Sequence, residues 1–173
     1  MDLWTFLACP SPGGGRPVDR FVTELGPEAE NDLSAVLDTL RVLERRYWNR
    51  PQFDVLHGKK YKSMGEILFN GEDKTYRLFG YFGPLRLQFT LLLGCEKKRD
   101  LKHEMDEAAK RMNFAQSNSH VLYAFTFEAV SLRKVAEPKV QGSLRVFPDR
   151  ADRRGSDKGH APEEGDEPEG SGS

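Results

Sequence analysis

Arg77 stands in the middle of an alternating run, Thr75 to Phe82, that reads as a strand. Alternation puts Tyr76, Leu78, Gly80 and Phe82 on one face, and Thr75, Arg77, Phe79 and Tyr81 on the other. A guanidinium at that point offers a planar fork that matches two phosphate oxygens and stays charged. Phe79 and Tyr81 beside it are rings on which bases can stack. Lys97 and Lys98 follow the next strand; being adjacent, they point in different directions, so one of the two faces a site at that strand's end. His57, Lys59, Lys60 and Lys62 form a second basic group on a long connection, and Arg86 lies on the polar face of the strand after Arg77's. His57 is of a residue type that can serve as a base, and His103 and Glu104 lie early in a helix where either can approach Lys98. The chemistry open to this set is phosphate binding by charge attraction and counterion release. A solvated helix end or sheet surface accounts for the same charges without any ligand.

Other chemistries find little support. Cys9 and Cys95 fit no metal or redox spacing. Gly13-Gly14-Gly15 lacks the spacing and the Lys-Ser/Thr ending of a nucleotide-phosphate loop and reads as a connector. The expectation is a protein with no metal and no cofactor.

Charge is unevenly distributed. The net charge over 173 residues is −1, but residues 136–173 hold 6 basic and 9 acidic residues, and residues 41–62 hold 7 basic and 2 acidic. The chain thus has a basic band and an acidic end. No apolar run approaches the length needed to cross a bilayer. Met1-Asp2-Leu3-Trp4 lacks the basic start and long apolar stretch of a signal peptide. The expectation is a soluble, cytoplasmic protein.

The elements that must position these side chains follow from periodicity. Leu3 to Ala8 reads as a first strand, and Pro10 to Arg16 as a loop. Pro17 to Leu25 predicts a short helix with Phe21, Val22 and Leu25 inward. Pro27 opens a second helix, with Leu33, Val36, Leu37, Leu40 and Leu43 at helical spacing and Tyr47 extending the stripe. Gln52 to Ser63 reads as irregular. Glu66 to Phe69, a turn beginning at Asn70-Gly71, Thr75 to Phe82, a turn at Gly83-Pro84, and Leu85 to Gly94 predict a three-stranded antiparallel meander. In its last strand Leu85, Leu87, Phe89, Leu91 and Leu93 are expected on one face. Asp100 is the expected N-cap of a helix carrying Leu101, Met105, Ala108, Ala109 and Met112 on one side. Val121 to Val130 and Leu144 to Phe147 are β-like runs with no assigned place in the sheet. From Pro148 the chain has almost no apolar residues and predicts a disordered tail.

Three of these segments resemble the HigB-type, phage-derived toxins of the RelE/ParE superfamily. They are Gly15-Arg16-Pro17-Val18-Asp19-Arg20-Phe21-Val22-Thr23-Glu24-Leu25; Gly65-Glu66-Ile67-Leu68-Phe69 with Thr75-Tyr76-Arg77-Leu78-Phe79; and Phe89-Thr90-Leu91-Leu92-Leu93-Gly94, leading to Lys97-Lys98 and Glu107-Ala108-Ala109-Lys110-Arg111. The resemblance runs from about Leu3 to about Ala115, with the segments in the family's order.

The resemblance implies an α+β fold: a small antiparallel sheet of the N-terminal strand plus the meander, packed by two N-terminal helices and one helix after the meander. It implies a domain over 1–116, followed by an extension at 117–147 and a disordered acidic tail at 148–173. It also implies a toxin of a type II toxin–antitoxin pair that cuts messenger RNA on the ribosome without a metal and is silenced by a small antitoxin protein. A related branch poisons DNA gyrase instead. In metal-free cleavage a ribose 2′-hydroxyl attacks the neighbouring phosphorus, so a group must take its proton, hold the extra phosphate charge and protonate the departing oxygen. The resemblance gives Arg77 the phosphate charge, Lys97 and Lys98 an assisting role, and Lys59, Lys60, Lys62 and Arg86 contacts to RNA. The sequence departs from the family at the domain end, Asn113-Phe114-Ala115-Gln116, where several members carry a histidine or tyrosine.

Overall fold

The structure is a computed structural model that describes residues 3–136. Its strands are β1 (Thr5–Ala8), β2 (Phe53–Val55), β3 (Met64–Gly71), β4 (Lys74–Phe82), β5 (Gln88–Glu96) and β6 (Tyr123–Ala124). Its helices are α1 (Pro17–Thr23), α2 (Pro27–Val42), α3 (Lys102–Ser117) and α4 (Phe127–Ala136). Short 3₁₀ turns occupy Arg45–Tyr47, Lys59–Tyr61 and Ser119–Val121.

The α+β architecture agrees with the expectation, and the sheet is larger than expected. Six strands lie in the order β2-β3-β4-β5-β1-β6. β3, β4 and β5 form the antiparallel meander. β1 runs parallel to β5, pairing Phe6 with Phe89 and Ala8 with Leu91, so the sheet is mixed rather than antiparallel. Alternation within β1 specifies which side chains face inward, not the direction of its neighbour, and the long chain between β1 and β5 permits a parallel pair. Two strands come from segments read otherwise. The expected irregular stretch after Pro51 contains β2, paired with β3. The β-like run at Val121 to Val130 divides into β6, paired with β1, and the start of α4. The expected strand at Leu144 to Phe147 and the tail lie outside the described residues.

Helices cover both faces of the sheet. α2 buries Leu33, Val36, Leu37 and Leu40, as its spacing predicts, and α1 buries Val18 and Val22. They meet Phe6, Phe69, Leu78 and Phe89 of the sheet in the larger apolar core. Gly94 lets α1 approach, since a Cβ there would lie 2.0 Å from the Phe21 ring. Tyr47 does not extend the α2 stripe: the helix ends at Val42, and the tyrosine is exposed in the following 3₁₀ turn. The opposite face carries Met64, Phe79 and Tyr81 and is covered by α3 through Ala108, Ala109, Met112 and Ala115. Those alanines bring the helix axis close to the strands. Asp100 sits one residue before the α3 N-cap, Leu101, yet its Oδ1 accepts the Lys102 N–H at 3.0 Å.

Two departures from simple alternation affect the site. The turn between β3 and β4 is Glu72-Asp73, with Glu72 at φ 46°, while Asn70 and Gly71 are in the ladder opposite Thr75 and Lys74. In β5 a bulge opposite Phe79 and Gly80 inserts one residue. Leu91 therefore joins the α1–α2 core and Leu93 the α3 side, where alternation alone would place both on one face. Cys95 follows Leu93 onto the α3 side.

Candidate functional site

The bulge and the α3 packing build the surroundings of Arg77. Arg77 is on the α3 face, as alternation predicts, opposite Leu68 on β3 and Cys95 on β5. Its neighbour on β3 is Glu66, a carboxylate only 2% exposed. Arg77 Nη1 donates to Glu66 Oε1 at 2.8 Å and to Oε2 at 2.6 Å. Arg77 Nε is buried without a hydrogen-bond partner. The guanidinium is thus oriented by a buried carboxylate through one nitrogen. A charge-assisted pair of this kind is among the stronger hydrogen bonds in proteins.

Cys95 reports what else is nearby. Its thiol is pushed up to about 11, first by burial, then by the Glu104 carboxylate, against the opposing pull of Arg77 and Lys98. Glu104, Arg77, Lys98 and Glu66 therefore all act on one sulfur. Lys98 Nζ lies 3.9 Å from Glu104 Oε1 on α3. Lys97 is exposed, and its N–H donates to the Thr75 carbonyl at 2.7 Å, which extends the pairing of β5 with β4 past the strand end. Of the two adjacent lysines, Lys98 is thus the one that Cys95 senses together with Arg77.

The second basic group reaches the same helix from another direction. The 3₁₀ turn Lys59–Tyr61 docks on α3 through Asp106, whose Oδ1 accepts Lys60 Nζ at 2.7 Å and the Tyr61 hydroxyl at 2.5 Å. The hydrogen bonds from Lys60 and then Tyr61 hold the Asp106 carboxyl below its ordinary range, and the same contacts raise Lys60 and Tyr61. Lys59 and Lys62 are exposed on either side of this latch. The first two turns of α3 therefore carry Lys98 through Glu104 and Lys60 through Asp106, from segments more than thirty residues apart in the chain.

Arg86 is not part of this assembly. It is exposed in the turn between β4 and β5, at the opposite end of β4 from Arg77. β5 begins at Gln88, and Leu85 is 69% exposed, so the residues expected to start this strand form its turn instead. His57, His103 and His120 are all exposed. Asn113 to Gln116, the segment lacking a histidine or tyrosine, lies in the last turns of α3.

Sequence reasoning missed Glu66 and Asp106. A glutamate in an apolar strand, Gly65-Glu66-Ile67, signals a buried charge that needs a cation. That signal was available, and the pairing of β3 with β4 then supplies Arg77. Asp106 carried no comparable signal, because a helix-surface aspartate is ordinary.

No family model, curated protein or solved structure matches this chain. Among the described residues no helix is long and apolar enough to cross a membrane.

Proposed function

We propose that this chain is a RelE/ParE-type toxin of a type II toxin–antitoxin pair, acting in the cytoplasm as a ribosome-dependent, metal-independent endoribonuclease on messenger RNA. The observation that carries the reading is the gathering of Arg77 and Lys98 around Cys95, with Lys60 latched to the same helix start. Lys98 and Lys60, from segments separate in sequence, both meet the start of α3, through Glu104 and Asp106, and clustered cations suit a phosphate backbone.

The Glu66 pair constrains the chemistry. Breaking a buried ion pair costs about 3–5 kcal/mol, so Arg77 keeps Glu66 and offers a phosphate its remaining donors. Glu66 fixes the guanidinium plane, Arg77 offsets charge on the pentacoordinate phosphorus, and Lys98 or Lys97 assists. Attack by the 2′-oxygen forms a 2′,3′-cyclic phosphate and breaks the bond to the 5′-oxygen of the next nucleotide; the 2′-hydroxyl proton passes to water, and water protonates the 5′-oxygen, which leaves as an alcohol. Lys59, Lys60 and Lys62 hold the backbone. An antitoxin protein is the partner in the resting cell.

A second reading is a non-enzymatic protein of the same fold, a gyrase inhibitor or an inactive module. The same Glu66 contact favours it, since a paired guanidinium carries less free positive charge, as does the lack of histidine or tyrosine at 113–116.

Inducible expression with transcript-end mapping separates the two. The nuclease reading expects growth arrest and transcripts cut at ribosome-bound positions, both lost in Arg77→Ala and weakened in Lys98→Ala, with each variant checked by thermal melting. Equal toxicity of a folded Arg77→Ala removes Arg77 from the mechanism. Arrest with intact transcripts and altered plasmid supercoiling selects the gyrase branch, and no arrest selects the inactive one.

A further inference from the structure

α3 packs on β4 and β5 and turns Ala108, Ala109, Met112 and Ala115 toward them. Glu104 lies four residues before Ala108, on the same stripe of the helix. Its side chain is only 21% exposed, so a carboxylate occupies a sheet-facing position that an apolar residue would ordinarily fill. The strand residue it acts on is Cys95, whose thiol it raises more than any other charged group does. Cys95 is the register partner of Arg77. Glu104 from α3 and Arg77 from β4 thus flank one residue of β5.

The two carboxylates beside Arg77 are in different states. Glu66 accepts Arg77 Nη1 with both of its oxygens. Glu104 accepts no hydrogen bond among the described residues. Its ion-pair contact is Lys98 Nζ at 3.9 Å, too long for a hydrogen bond. Lys98 is 64% exposed on a flexible stem, so its amine can turn to a phosphate and leave the carboxylate open. The other candidates for proton transfer are placed elsewhere or occupied. His57, His103 and His120 are exposed, and Asp106 holds Lys60 and Tyr61.

We propose that Glu104 is the general base of the site and takes the ribose 2′-hydroxyl proton on its way to water. This role rests on the nuclease reading. As the proton moves to the Glu104 carboxylate, the 2′-oxygen bonds to phosphorus, and Arg77 offsets the added charge. The bond to the 5′-oxygen then breaks, and water protonates that oxygen. The hydroxide left behind takes the proton from Glu104 and restores the carboxylate. Glu66 does not share this role, because Arg77 holds both of its oxygens.

The test measures single-turnover cleavage of ribosome-bound messenger RNA by the purified full chain. Glu104→Gln should bind the programmed ribosome as the parent does and cleave about 100-fold or more slowly. A transcript with sulfur in place of the 5′-oxygen has a leaving group that needs no proton. Glu104→Gln should stay as slow on it, because the 2′-proton must still be removed. Glu104→Ala should regain cleavage when formate supplies a small carboxylate, and not with chloride at equal ionic strength. Should either variant melt below the parent, the formate response against chloride on the same protein decides. Cleavage by Glu104→Gln at the parent's rate, recovery on the sulfur transcript, or indifference of Glu104→Ala to formate overturns the role of Glu104 and leaves the nuclease reading in place. A parent that leaves the transcript intact overturns both.

Discussion

Glu66 and Arg77 are diagonal neighbours on adjacent strands on the α3 side of the sheet, with both carboxylate oxygens within 2.8 Å of a single guanidinium nitrogen. Their side chains are 3% and 19% exposed, so water cannot substitute for either partner. Removing the arginine should therefore cost more than removing both. Glu66→Leu or Arg77→Leu alone should destabilise by about 3–5 kcal/mol, and the two replacements together by much less than their sum. A double-mutant cycle by urea unfolding measures this. Additive losses would show that the pair contributes no coupling.

Cys95 should be a slow nucleophile. With its thiol pushed up to about 11 from the ordinary 9.0, first by burial and then by Glu104, the thiolate population near neutral pH falls. Alkylation at pH 7.5 should run about 100-fold slower than for a free cysteine, and Glu104→Gln should speed it. The folded thiol holds its proton more tightly than the unfolded one. This contribution to stability is present below pH 9 and is lost as pH rises toward 11. Cys95→Ala should flatten the fall in stability over that window, as read by denaturant titration.

The latch between Asp106 and the Lys59–Tyr61 turn should be local. Asp106→Asn removes the charge that Lys60 and Tyr61 bind, and hydrogen exchange at residues 58–62 should quicken while the melting temperature barely moves. The Asp106 carboxyl is held below its ordinary value, so the latch persists above that value and opens as pH falls through the folded one. Exchange at pH 6 and pH 3 would show the parent approaching the variant only under acid.

At Gly71 β3 packs directly against the start of α2. A Cβ there would meet Ala29 Cβ at 2.3 Å and its backbone N at 2.8 Å, and backbone cannot swing aside. Gly71→Ala should destabilise by about 1–3 kcal/mol, and Gly13→Ala, with nothing within 4 Å, should not. Equal melting temperatures for the two variants would contradict this contact.

The sequence by itself determined the local elements. Leu33, Val36, Leu37 and Leu40 recur at helical spacing and are buried on α2. The alternation around Arg77 correctly set it beside Phe79 and Tyr81 on the face away from Leu78. These are properties of a few neighbouring residues, since helix and strand periods translate directly into a buried face. Tertiary structure alone decided which strands are neighbours and in which direction, because pairing is a contact between distant segments. It set β1 parallel to β5 and drew β2 and β6 into the sheet. It also moved Leu93 and Cys95 to the α3 face through one bulge residue opposite Phe79 and Gly80, a shift that strict alternation does not encode. Arg77 meets Glu66 for the same reason. The strand that carries each charge can be read from the chain, but the ladder that joins them forms only when the sheet closes under α3.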